Sequence, residues 1–190
     1  MRLFIAFDCP AAIKAALEQS ASLLRGACTG ARFTPRENHH ITLAFLGEVP
    51  AERIEEIASA MDSCAFRPIP LTIGELGRFG RNGGDVIWRA VRAPEGLAQL
   101  QQSLTKALAA KGFAQAEEMG FSPHLTLARQ AVMREGALLA DLSQTLPDLA
   151  FTAGFMTLMR SQRIGAELTY TPVYRTQAAA FPESQEGAFT

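Results

Sequence analysis

The chain has 190 residues, 48% hydrophobic and 19% charged, with a formal net charge of −1. That composition fits one folded domain, or two small lobes sharing a core, and excludes a disordered chain. The near-zero charge excludes a broad basic face that grips duplex nucleic acid through its phosphates, but not recognition of a single phosphate or RNA end.

Leu3 to Phe7 reads as a buried strand, too short an apolar run for a signal peptide and interrupted by Asp8. Asp8 is placed to cap a helix that Pro10 opens and Gly26 stops, with Ile13, Leu17 and Leu24 on its inner face. Residues 31–36 form a short strand ending at Pro35. A strand from His40 to Leu46 follows, and Pro50 opens a second helix with Ile54, Ile57 and Met61 inward. Leu71–Leu76 and Val86–Val91 read as strands joined by a glycine-rich loop whose Arg78-to-Gly84 stretch is a candidate RNA contact. Pro94 then opens a third helix, carrying Leu97, Leu100, Leu104 and Leu108 at helical spacing. His124–Ala128 is the next strand, and a weaker helix lies near Ala137–Leu142. Phe151–Met159 and Leu168–Tyr174 close the domain. Residues 1–176 are expected to form a single bilobal domain, and 177–190 a polar tail that frays.

Cys9, Cys28 and Cys64 are odd in number and widely spaced, which is neither a disulfide framework nor a zinc site. Free thiols and the lack of any membrane-spanning run predict a cytoplasmic protein; a monomer is the default.

The chemistry concentrates in a repeated pentapeptide, His40-Ile41-Thr42-Leu43-Ala44 and His124-Leu125-Thr126-Leu127-Ala128. The copies take two of the three histidines and stand eighty-four positions apart in similar settings, which suggests an internal duplication. Along a strand, residues i and i+2 share a face, so each copy presents an imidazole beside a hydroxyl, with Leu or Ile turned the other way. Strands and helices do not alternate strictly. The expected fold is therefore α+β and bilobal: two antiparallel sheets related by a pseudo-two-fold axis around a central cleft, helices on the outer faces. Two imidazoles facing one substrate supply a proton acceptor and a proton donor, and two hydroxyls supply hydrogen bonds to a phosphate. Attack on phosphorus and departure of the leaving oxygen occur on opposite sides, which suits one histidine on each lobe. On chemistry alone either histidine can take either role. Arg129 follows the second copy by an odd step from Thr126, so a regular strand turns it away from the cleft; a bulge would be needed to bring it to a phosphate.

The two motifs with their flanks, Met1-Arg2-Leu3-Phe4-Ile5-Ala6, Glu37 through Gly47 and Phe121 through Arg129, resemble the RNA 2',3'-cyclic phosphodiesterases of the two-histidine phosphoesterase superfamily, often labelled 2'-5' RNA ligases, over roughly residues 1–175. The resemblance implies metal-free hydrolysis of an RNA-terminal 2',3'-cyclic phosphate to a 2'-phosphomonoester, with no cofactor. It implies His40 as proton donor to the leaving 3' oxygen, His124 as acceptor from water, and Thr42 and Thr126 holding the phosphate; Arg129, from its place after the second motif, is a further phosphate-binding candidate. His39 departs from the family pattern, which has an apolar residue there, and is expected to point away from the cleft.

Competing readings are weaker. Two histidines and two threonines are too few ligands for a metal hydrolase. A non-catalytic RNA-end binder would not need a matched acid and base. Cleavage of 2'-5' linkages or of small cyclic nucleotides, or the reverse ligation, uses the same pair. Phe4, Phe7, Phe45 and Trp88 sit in apolar strands and are assigned to the core, and Ser161 and Tyr170 to packing at the cleft edge.

Overall fold

A computed structural model describes residues 1–93, 96–114, 120–165 and 167–179. The order is β1 (Arg2–Asp8), α1 (Ala11–Ala27), β2 (Cys28–Phe33), β3 (His40–Glu48), α2 (Ile54–Asp62), β4 (Ile69–Phe79), β5 (Asp85–Arg92), α3 (Gly96–Ala110), β6 (His124–Met133), α4 (Leu139–Gln144), β7 (Leu149–Ala153), β8 (Phe155–Ile164) and β9 (Glu167–Gln177). One sheet runs β3-β1-β8-β9 and the other β2-β6-β5-β4-β7, and the strand pairs are antiparallel. The α+β, two-sheet architecture expected from the sequence is present.

The duplication is visible in the wiring. Strand β1 pairs with motif strand β3 across a connection that contains α1; β5 pairs with motif strand β6 across a connection that contains α3. The helices are exchanged. α1 packs on β2, β6 and β7 of the five-stranded sheet, and α3 packs on β3 of the four-stranded sheet and on α2. Leu17 and Leu24 of α1 and Leu104 and Leu108 of α3 share one apolar core with Ile41, Leu43, Leu125 and Leu127. The helices therefore cover the faces opposite the motif histidines and threonines, as period-2 alternation requires.

Several expected boundaries move. Asp8 does not cap α1; Pro10 occupies the N-cap without a side-chain bond, and the Asp8 carboxylate instead pairs with Lys14 at 2.9 Å. Pro50 opens a single 3-10 turn, Ala51–Arg53, before α2 begins. The expected strand Phe151–Met159 is two strands. Gly154 separates β7 from β8, and there the chain leaves the edge of one sheet and enters the interior of the other; continuous apolar character cannot report a change of sheet. Strand β9 continues to Gln177, and the Ala178 and Ala179 amides bond the Gly154 and Phe66 carbonyls. Residues 180–190 of the expected tail, and Pro94 at the start of the third helix, lie outside the described residues. Cys9, Cys28 and Cys64 are buried and unpaired. Among the described residues no helix is long and apolar enough to cross a membrane.

Arg89, on the core face of β5, is 1% exposed. It donates to the Gly74, Ile73 and Pro147 carbonyls and to the Ser20 hydroxyl, so it ties β4, α1 and the segment before β7 together. Burial lowers its pKa.

Candidate active site

Each motif strand is kinked at the same place. Along β1, Ala6 faces Thr42 and the next residue, Ile5, faces Ala44; along β5, Trp88 faces Thr126 and Ile87 faces Ala128. One extra residue is inserted in each motif strand at Leu-Ala, which is a β-bulge. Leu43 with Ala44, and Leu127 with Ala128, are consecutive buried pairs as a result. The bulge resets the alternation, so the residue after it returns to the histidine–threonine face. In β6 that residue is Arg129. The bulge needed to turn Arg129 to the cleft face is thus present, a kink that alternation alone does not reveal. A second irregularity follows at Gln130, which has φ 53°, the one positive φ outside glycine among the described residues. Gly84, at φ 113°, lies against it: a Cβ there would sit 2.7 Å from the Gln130 carbonyl carbon. In β3 the equivalent residue is Phe45, whose ring is covered by the Arg2 guanidinium at 5.0 Å.

The two imidazoles are anchored identically. His40 Nδ1 lies 2.7 Å from the Asn38 carbonyl and His124 Nδ1 lies 2.7 Å from the Ser122 carbonyl, each two residues upstream. A carbonyl only accepts, so Nδ1 carries the proton and Nε2 of the neutral ring is left with a lone pair. The Thr42 hydroxyl donates to His40 Nε2 at 3.1 Å. Burial is the main cause that depresses both histidines, His40 to about 4, opposed by their carbonyl bonds. Asp8, opposite His40 in the β1–β3 register, also favours its charged form, whereas His39 and Arg129 disfavour it. Arg129 depresses His124 as well. One guanidinium therefore acts on both motif histidines, and the strands that carry them, β3 and β6, adjoin.

Aromatic rings flank both histidines. Phe4 and Tyr170 lie 4.7 and 5.1 Å from His40; Phe79 and Trp88 lie 5.1 and 6.1 Å from His124. Of the four aromatics assigned to the core, Phe7 lies in the main cluster and Phe4 is buried in a second, small one with Ala6 and Met159; Phe45 and Tyr170 pack against that cluster, and Trp88 is half-buried on the cleft face. Gly77 leaves the space that the Trp88 indole occupies. Phe79 was not distinguishable in the sequence from any strand-end aromatic. Tyr170 is held in place because the Asn38 side chain donates to the Leu168 carbonyl at 2.6 Å, which ties β9 to the turn before His40. The Arg78-to-Gly84 stretch closes the β4–β5 turn, with Arg78 engaged by Asp85 at 3.1 Å.

His39 is 1% exposed, and neither ring nitrogen has a partner in hydrogen-bonding geometry among the described residues. Burial lowers its pKa, while the Glu18 carboxylate and the Thr126 carbonyl pull the other way. It is off the cleft face, as alternation predicts, but it is packed, not idle. Among the described residues no group of three or more His, Cys, Asp or Glu side chains is arranged to hold a metal ion.

Comparison with known proteins finds relatives over most of the chain. A relative from Escherichia coli K12 named RNA 2',3'-cyclic phosphodiesterase is 31% identical over 179 residues, covering 92% of this chain and 94% of its own. One of the same name from Archaeoglobus fulgidus is 32% identical, covering 75% and 78%. Another from Geobacillus stearothermophilus is 32% identical over 77% of this chain, which spans about half the length of that relative (46%). The crystal structure of E. coli LigT complexed with 3'-AMP superposes with a TM-score of 0.77 at 29% identity, over 94% of this chain and 98% of that one. The 2'-5' RNA ligase superfamily model matches residues 9–165, and the chain belongs to that superfamily.

Proposed function

We propose that the protein hydrolyses an RNA-terminal 2',3'-cyclic phosphate to a 2'-phosphomonoester, by acid–base catalysis between His40 and His124 without a metal ion. The observation that carries this reading is the pair of identically kinked motif strands: each holds a neutral imidazole by its Nδ1 proton, and both imidazoles feel one guanidinium. Relatives across most of the chain carry the name of this activity.

In the proposed reaction, water attacks phosphorus and gives its proton to His124. The bond from phosphorus to the 3' oxygen breaks, and His40, which must first have taken a proton on Nε2 beside the bound phosphate, gives that proton to the oxygen as it leaves. Proton transfers of this kind are worth roughly 10²–10⁴ each. Thr42, Thr126 and Arg129 hold the non-bridging oxygens, whose negative charge persists throughout. Bound phosphate also counters the burial that keeps both histidines neutral, because a nearby anion favours the imidazolium.

The test is hydrolysis of a short RNA ending in a 2',3'-cyclic phosphate, in excess chelator, with the product isomer identified. Formation of the 2'-phosphate that survives chelator and falls by roughly 10²–10⁴ in both His40→Ala and His124→Ala supports the reading. Normal turnover in either folded variant refutes the pair. No turnover by wild-type protein redirects the site to 2'-5' linkages, small cyclic nucleotides, or binding without catalysis.

A further inference from the structure

Strand β2 forms the edge of the five-stranded sheet beside motif strand β6, and it brings a second arginine to the cleft face. In the β2–β6 register Arg32 stands directly opposite Arg129, and the next pair is Phe33 with Ala128. Opposed residues of an antiparallel pair share a face. Ala128 is buried in the main core and Phe33 packs against it, so both arginines lie on the other face, the cleft face, where they are exposed.

A regular ladder would not pair them. Counting from Gly30, which faces Val132, Arg32 would stand opposite Gln130. One extra residue in β6, at the positive φ of Gln130, shifts Arg129 into that place. Like charges directly opposite on a sheet repel. Arg25, Arg53, Arg78 and Arg92 each have a carboxylate within 3.1 Å. Among the described residues Arg32 and Arg129 make no ion pair with a carboxylate. Two facing guanidiniums without a carboxylate between them are complementary to phosphate.

We propose that Arg32 binds the phosphodiester on the 5' side of the terminal nucleotide, so that Arg129 and Arg32 hold consecutive phosphates of one RNA strand. The proposal rests on the cyclic phosphodiesterase reading for the first of these phosphates. The Arg129 charge reaches both motif histidines and Tyr170, and with Thr42 and Thr126 it already supplies donors to the non-bridging oxygens of the reacting group. Arg32 lies one strand further out, about 4.8 Å at the backbone, on the sheet edge. In an RNA end the anion next to the cyclic phosphate is that upstream phosphodiester. Such a contact positions the strand and carries no base information. It favours a chain end over a cyclic mononucleotide, whatever the sequence.

The test uses two dinucleotides with a 5' deoxyadenosine and a cytidine 2',3'-cyclic phosphate end, joined by a phosphodiester or by an uncharged methylphosphonate. Wild type should favour the charged linkage by about 10-fold or more in kcat/KM, the worth of one charge-assisted hydrogen bond. Arg32→Gln should bring the ratio near one, and Arg32→Lys, which keeps the charge, should keep a preference. Arg129→Gln slows both substrates and keeps the ratio, because it acts on the other phosphate. Each ratio is taken within one protein, so partial loss of folded variant cancels. Equal use of the two linkages by wild type, or an Arg32→Gln variant that slows both and keeps the wild-type ratio, overturns the assignment and leaves the phosphodiesterase reading intact. Calorimetric binding of the matching 2'-phosphate dinucleotides reads the site without turnover. Absence of turnover, with a binding preference for the charged linkage that Arg32→Gln removes, overturns the phosphodiesterase reading and keeps the phosphate site.

Discussion

Replacing Arg129 by alanine removes a cation that acts on both motif histidines, and it should act on rate and on pH together. If the guanidinium holds a non-bridging oxygen through a charge-assisted hydrogen bond, its loss costs about 1.5–3 kcal/mol. At about 1.36 kcal/mol per tenfold, this is roughly a 10- to 150-fold fall in kcat/KM. The same charge disfavours the imidazolium of His40, held at about 4, and of His124, also below its ordinary value. Without it both rings take protons more readily, so both limbs of the kcat/KM profile move to higher pH. Hydrolysis of the cyclic-phosphate RNA should be followed between pH 4 and 8 in wild type, Arg129→Ala and Arg129→Lys. Lysine keeps the charge and loses the fork, so its limbs stay near wild type while its rate falls. A folded Arg129→Ala variant with a wild-type rate, or with limbs displaced to lower pH, would refute the argument that the bulge delivers this side chain to the phosphate.

Gly84→Ala perturbs the same device from outside the cleft. It forces a side chain into φ 113° and against the Gln130 backbone, a cost of about 1–3 kcal/mol; at this chain length a melting curve should fall by roughly 2–4 °C per kcal/mol, with kcat/KM reduced as well. Thr42→Ala and Thr126→Ala each remove one hydrogen bond to a charged oxygen, about 1.5–3 kcal/mol, so steady-state kinetics should show losses of roughly 10- to 150-fold, below most of the range for either histidine. The pH dependence of stability follows from three histidines depressed by burial, His39, His40 and His124. The unfolded chain binds protons near pH 6.5 and the folded one only below, so the stability present above pH 6.5 is lost progressively as pH falls toward about 4. Urea midpoints at pH 7 and pH 5 test this, and a higher midpoint at pH 5 contradicts it.

Much of the site was legible because its signal is chemical and local. Two histidines each followed two positions later by threonine, in strand-forming sequence, announce themselves, and the α3 leucines all face the core as their spacing requires. The rest depends on partners distant in sequence. Arg129 could be placed at the cleft only on condition of a bulge, because a bulge arises from register with β5, not from the residues of β6 alone. Asp8 looked like a helix cap, and only tertiary placement of Lys14 explains its use elsewhere. Trp88 and Phe4 are as apolar as any core residue; that they face the cleft follows from the parity of their strands relative to Thr126 and His40. Gly154 carries no mark that distinguishes a change of sheet from an interruption within one.

The exchange of α1 and α3 between sheets has a mechanical consequence. Each half of the chain supplies the layer on which the other half's motif strand rests, and the four-stranded sheet itself takes β1 and β3 from the first half and β8 and β9 from the second. Neither half is a foldable unit, so a break between α2 and β4 should leave two fragments that fold only by finding each other. For the same reason opening the cleft would strip a helix from its sheet. The placement of the two motif strands is therefore a property of the folded core, set before any ligand arrives.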